Sequence, residues 1–285
     1  NHYLHLSKAI GVAVETLPEN NFMPSADELT PHLKGATLLA LCSPLNPTGT
    51  MFDKKQLEDI CDAVIEENKS RTADEKPLYI LYDQIYSLLT FEKEHVDPVS
   101  LRPELRDYVI YVDGTSKCLA ATGVRVGWSF GPKHIISRMK GLIGHMGAWA
   151  PKAEQVAMSK YFAVDAQVDT FLHKFKSDIK ESLDHLHAGF QSLKADGYAV
   201  DSIEPMGAIY LTLKIDYIGK TAPEGEFLAN SADLNFYLIR TANIALVPFS
   251  AFGNDESMPW FRASVGGCSL EDIKGMMPRI KAALD

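Results

Sequence analysis

Apolar positions in this chain follow two rhythms that alternate along its first half. Short unbroken runs occur at residues 37–42 (TLLALC), 78–82 (LYILY) and 108–112 (YVIYV). Continuous β-branched, aromatic and leucine content predicts strands buried on both faces. Between the first two runs, Leu57, Ile60, Cys61, Val64 and Ile65 recur at helical spacing, with Asp53 placed to cap a helix over 53–68. Further signals are weaker. Residues 3–10 read as a short helix and 12–17 as a strand ending at Pro18. SADE at 25–28 forms a capping box for a helix that Pro31 shortens. Residues 125–130 read as another strand and 133–143 as a helix. Strands alternating with helices predict an α/β fold, a three-layer α/β/α arrangement around a mostly parallel sheet.

The rhythm changes after Pro151. Residues 152–196 carry long helical periodicity through Val156, Met158, Phe162, Phe171, Phe175, Ile179, Leu183, Leu186 and Phe190, and Gly197 ends it. Strands are expected at 208–215, 245–248 and 260–265, and helices at 234–241 and 270–284, the last capped by Ser269. The expected division is a larger unit over residues 1–151 and a linking helix with a smaller α+β unit over 152–285.

Composition narrows the function classes. The chain has 285 residues, 46% hydrophobic and 23% charged, with a net charge of −9. A surplus of acid argues against nucleic acid or an anionic membrane as partner. The four cysteines form no CxxC pair and the nine histidines show no metal-ligand spacing, which points to reduced thiols and a cytoplasmic location. No apolar run approaches the length of a membrane span. The first residue is Asn1, without a basic leader, so the chain is expected to be a cleaved or truncated form.

Candidate chemistry gathers at predicted strand ends. Asn46 lies in the turn after 37–42, Asp83 and Tyr86 follow 78–82, and Lys117 follows 108–112, with Arg125 eight positions later. In a parallel sheet such ends meet at one crevice. A lysine amine can form a Schiff base with an aldehyde. A buried carboxylate keeps a pyridine nitrogen protonated, and the protonated ring stabilises a carbanion. Tyrosine and asparagine can bond a phenolate oxygen, and arginine grips phosphate with its planar fork. Taken singly, each residue also fits a plain structural role: Asp83 a cap, Tyr86 core, Arg125 a surface ion pair.

The segments SPLNPTG, YDQIY and GTSKCLAATGVRVGW resemble those of fold type I pyridoxal-phosphate enzymes of the class I/II aminotransferase kind. The resemblance covers nearly the whole chain. It implies that Lys117 holds pyridoxal 5′-phosphate as a Schiff base and carries the proton, with Asp83 on the pyridinium. It also implies that Tyr86 and Asn46 bond the ring oxygen and that Ser116 and Arg125 hold the phosphate. WFRASVG resembles the family's substrate-arginine motif, which makes Arg262, with Asn46, the binder of the substrate carboxylate. The implied substrates are an amino acid and a 2-oxo acid, and the implied assembly is a homodimer. There are departures. The family's N-terminal segment, with its Gly-rich phosphate loop and ring-stacking aromatic residue, has no counterpart before Asn46, so the chain alone is expected to be poorly active. No arginine stands near Trp149 and Lys152, where one subgroup places one for acidic side chains. Two alternatives stay open: a C–S β-lyase using the same cofactor, and a non-enzymatic regulatory module of the same fold.

Overall fold

The computed structural model describes residues 2–285. In chain order the α-helices are α1 His2–Ser7, α2 Ala26–Leu29, α3 Lys54–Ser70, α4 Pro98–Leu101, α5 Thr115–Cys118, α6 Lys133–Met146, α7 Lys152–Phe162, α8 Asp165–Ala195, α9 Ser231–Ala242 and α10 Leu270–Leu284. The strands are β1 Leu38–Cys42, β2 Tyr79–Asp83, β3 Val109–Gly114, β4 Gly127–Phe130, β5 Val200–Ser202, β6 Tyr210–Ile215, β7 Val247–Pro248 and β8 Trp260–Ser264. They form two four-stranded sheets, ordered β1-β2-β3-β4 and β5-β6-β8-β7.

The first sheet is parallel from β1 to β3, and β4 returns antiparallel beside β3. The expected mixed α/β fold with a mostly parallel sheet is therefore observed. Helix α3 covers this sheet for the reason its spacing indicated. Asp53 accepts from the Gln56 amide, and Leu57, Ile60, Cys61 and Val64 are buried against Leu41, Ile80, Tyr82 and Val109. Each such aliphatic side chain contributes roughly 2 kcal/mol of burial.

The second sheet is antiparallel throughout. Helices α8, α9 and α10 close over it, with Leu183, Leu186 and Phe190 meeting Leu211, Leu213, Leu238, Phe261 and Ile280. Capping boxes start α2 at Ser25 and α10 at Ser269. Gly197 ends the long helical region with a left-handed φ of +97°. The two cores are stitched together from sequence-distant pieces. Tyr86, Leu89, Cys118 and Leu119 belong to the second core, and Phe22 packs edge-on against Phe249 and Trp260.

Three expectations need correction. Residues 12–17 form no strand; Val12 is 64% and Leu17 46% exposed, so the alternation faces no partner surface. β1 is not buried on both faces. It lies at the sheet edge among the described residues, and Leu38 is 51% exposed. The periodic stretch after Pro151 is two helices, not one, because the chain leaves helical geometry between Phe162 and Asp165. β5, three residues long, carries no sequence signal.

Candidate active site

Parallel pairing aligns three strand ends. Cys42 stands opposite Asp83, and Asp83 opposite Val112. The segments 43–50, 84–90 and 115–126 therefore leave the sheet along one edge. They carry Asn46, Tyr86, Ser116, Lys117 and Arg125, with Asp83 closing β2.

The turn after β1 is sewn to the second sheet. Gly49 has a φ of +72°, and a Cβ there would fall 2.2 Å from the Tyr210 carbonyl oxygen, so only glycine fits. Its own carbonyl accepts from the Gly207 amide at 3.0 Å, and the Thr212 hydroxyl donates to the Thr48 carbonyl at 2.9 Å. The Ser43–Pro44 and Asn46–Pro47 bonds are cis. At the third strand end, Gly114 faces Gly127 across the antiparallel pair, and a Cβ on Gly114 would lie 3.0 Å from the Gly127 Cα. This close approach starts the bend into α5, which carries Ser116 and Lys117.

Lys117 is half-buried, and among the described residues its amine has no hydrogen-bond or ion-pair partner. Asp83 accepts from the Ile85 amide at 3.0 Å. Burial pushes its carboxyl above the usual range, and that one bond offsets it only in part. Asp113, on the neighbouring strand, is also raised by burial, and the Asp83 charge adds to the shift. It accepts from the Gly114 amide at 2.7 Å and from Gln84 Nε2 at 3.1 Å. Cys42 is pushed up to about 12 by burial and then by Asp83, so this thiol stays protonated.

Two of the expected residues meet directly: Arg262 Nη1 donates to Asn46 Oδ1 at 2.8 Å. The guanidinium lies 4.6 Å from the Tyr210 ring centroid, and its Nε is buried with no acceptor. Tyr86 is buried, its hydroxyl 2.6 Å from that of Tyr210. Ser116 and Arg125 are linked through Thr122, whose hydroxyl donates to the Ser116 carbonyl at 3.0 Å while Arg125 Nη1 donates to the Thr122 carbonyl at 3.0 Å. Arg125 itself is exposed, in left-handed backbone with φ 58°, ahead of the strand expected to contain it.

Along this edge lie an unpartnered amine, a carboxylate raised by burial, a buried phenol, an amide and the Arg125 guanidinium, and Arg262 joins the amide from β8. That set can bind a polyanion and handle protons beside a primary amine. Sequence reasoning missed Tyr210 and Asp113. A tyrosine on a mostly buried strand needs a partner for its hydroxyl, which was the available signal for Tyr210. Among the described residues, no group of three or more His, Cys, Asp or Glu side chains is placed to hold a metal ion.

Comparison with known proteins adds a family context. A family model described as "Aminotransferase class I and II" matches residues 1–280. A bifunctional aspartate aminotransferase and glutamate/aspartate-prephenate aminotransferase of Petunia hybrida is 31% identical over 252 residues, covering 87% of this chain and 48% of its own length. A probable aspartate/prephenate aminotransferase of Rickettsia prowazekii (strain Madrid E) is 30% identical over 98% of this chain and 66% of its own. The solved structure of Thermus thermophilus aspartate aminotransferase with maleate superposes with a TM-score of 0.84 at 24% identity, over 99% of this chain and 66% of that one. The chain spans between about half and two thirds of the length of these relatives.

Proposed function

Because the chain belongs to the aminotransferase class I and II family, we propose that its protein moves an amino group between an amino acid and a 2-oxo acid, using pyridoxal 5′-phosphate held at Lys117. The observation that carries this reading is the unpartnered Lys117 amine at the strand edge that also bears Asp83 and Tyr86.

The residues fit the cofactor. Bound, it supplies an aldehyde that condenses with amines and a pyridine ring that withdraws electrons once protonated. Asp83 would hold the proton on the ring nitrogen. A carboxylate raised by burial regains its charged form beside a cation, so that pairing relieves its desolvation. Tyr86 and Asn46 would hold the ring oxygen, and Ser116 and Arg125 the phosphate, Arg125 having most of its donors free. Lys117 Nζ would be the amine and later the proton carrier. Arg262 would take the substrate carboxylate, and its orphaned Nε supports this because a buried donor without an acceptor is costly. The names of the relatives support aspartate, and prephenate as the oxo acid, as first substrates to assay.

We further propose the division into residues 1–151 and 152–285, supported by the two separate sheets. A homodimer is supported by exposed apolar side chains such as Leu142, Met146 and Trp149. A cytoplasmic location is supported by the four free cysteines, Cys42, Cys61, Cys118 and Cys268.

The test is reduction of the cofactor-loaded protein with borohydride, followed by mass spectrometry, beside a coupled assay with aspartate and a 2-oxo acid. The adduct is expected on the peptide containing Lys117. An adduct on another lysine overturns the assignment. With an S-substituted cysteine in place of aspartate, release of a thiol, pyruvate and ammonia without amino transfer would instead indicate a β-lyase, and cofactor binding without turnover a regulatory module.

A further inference from the structure

Tyr210 joins the two ends of the site. It begins β6 and is 5% exposed. Tyr210 stands opposite Ser264 and Thr212 opposite Arg262, so Tyr210 and Arg262 are diagonal neighbours on adjacent antiparallel strands. That separation suits an aromatic ring and a long side chain. The Arg262 guanidinium lies 4.6 Å from the Tyr210 ring centroid, with the Phe252 ring at 5.3 Å. A ring face attracts a partly desolvated cation. Here it steadies a guanidinium that gives one nitrogen to Asn46 and leaves Nε unpaired.

The same residue reaches Tyr86. The two rings meet edge-on with centroids 5.6 Å apart, and the hydroxyls are 2.6 Å from each other. In such a pair one hydroxyl donates and the other accepts. Whichever way the bond runs, it restricts how the Tyr86 hydroxyl can turn toward a third group. Burial raises the Tyr86 phenol above its ordinary range, the Tyr210 hydroxyl raises it further, and the Arg262 charge opposes both. Two separable contacts therefore leave one side chain, one to the phenol and one to the arginine.

We propose that Tyr210 is a positioning residue with two functions: its hydroxyl orients the Tyr86 hydroxyl toward the cofactor ring, and its ring holds Arg262 for the substrate carboxylate. The inference rests on the functional reading above and deepens it, because it makes Tyr210 the link between substrate binding and the cofactor's electronic state.

Two substitutions separate the functions. Tyr210→Phe keeps the ring and removes the hydroxyl, whereas Tyr210→Leu removes both. The full-length protein, loaded with pyridoxal 5′-phosphate, is titrated with pH while its visible absorbance band is followed. KM and kcat for the amino acid and the thermal midpoint are measured alongside. Tyr210→Phe is expected to shift the pH midpoint of the band and to lower kcat about tenfold, as loss of one buried hydrogen bond does, while KM holds. Tyr210→Leu is expected to add a rise in KM of about tenfold, from loss of the ring under the guanidinium. An unmoved band midpoint in Tyr210→Phe overturns the first function. Equal KM changes in the two variants overturn the second. Variants that change only the thermal midpoint assign Tyr210 a structural role and overturn both. Failure of the underlying reading looks different: the unsubstituted protein would form no band, or the trapped adduct would lie on a lysine other than Lys117.

Discussion

Asp83 and Asp97 are both half-buried aspartates near the first sheet, yet their surroundings push them in opposite directions. Burial would raise Asp97, but its hydrogen bonds outweigh it and leave the carboxyl below the usual range. The Tyr111 hydroxyl donates to it at 2.5 Å, and the Val99 and Ser100 amides at 3.1 Å, capping α4. Asp83 has the Ile85 amide and stays raised. Asp97 has three donors where Asp83 has one, and Asp83 is also the more deeply buried of the two. The Asp97 corner spends its hydrogen-bonding capacity on the fold. The strand edge around Asp83 keeps capacity unspent, as the unpartnered Lys117 amine and the orphaned Arg262 Nε also do. A site that must receive a ligand needs such a reserve.

The sharpest break of this comparison is Lys117→Ala in the full-length protein. Transamination and the visible cofactor band should vanish while the thermal midpoint stays put, because the amine supports nothing in the fold. A drop in thermal midpoint matching the loss of activity would make Lys117 structural.

Next in size is Asp83. Asp83→Ala should cost roughly a hundredfold or more in turnover, since in the proposed function it removes the charge that would hold the ring-nitrogen proton in the transition state. Stability should move the other way. Asp83 has a folded-state value above its ordinary 3.8, so its contribution favours the folded state below that value and is lost as pH rises through the folded value. Asp83→Asn should therefore be more stable than the parent at neutral pH, with the gain disappearing below the ordinary value. Urea unfolding of the cofactor-free protein across that range reads both the sign and the window.

Asp97→Ala tests the other half. Losing the cap and the Tyr111 bond should cost about 2 kcal/mol of stability at neutral pH, allowing for partial solvent exposure, with kcat little changed. A lowered value means the contribution is complete above the ordinary 3.8 and lost as pH falls through the folded value. The deficit should therefore close in acid, opposite to Asp83→Asn. Matching pH trends for the two variants would remove the distinction.

The smallest effect concerns Arg262. Arg262→Lys keeps the charge but loses the planar fork and its fit over the Tyr210 ring, and should raise the amino-acid KM about tenfold. Unchanged KM with every amino acid assayed would show that its spare donor is not used for substrate.

Much of the fold was legible because local physics decided it. Asp53 and the spacing of Leu57, Ile60, Cys61 and Val64 specify α3 whatever lies around it, and Ser25 and Ser269 cap their helices with neighbours three residues away. The turn at 43–49 carries its own backbone requirement at Gly49, with a φ of +72°. Parallel topology then implied that the chemistry of three strand ends would share an edge. What local physics does not reach was misread or missed. The alternation at 12–17 reads as a strand only if a sheet is there to pair with it, and β1 reads as doubly buried only if it is central. Tyr210 lies 124 positions from Tyr86, and Arg262 lies 216 from Asn46; no motif joins them. Their contacts exist because Gly49 lets the turn after β1 touch β6 and because β6 pairs with β8 in a register that sets Tyr210 diagonal to Arg262. Residue types and spacing along the chain determined the helices, the strand ends and the chemistry each can offer. Packing between the two sheets decided which donors are satisfied and which stay free, because partnership depends on distance in space and not on separation in sequence.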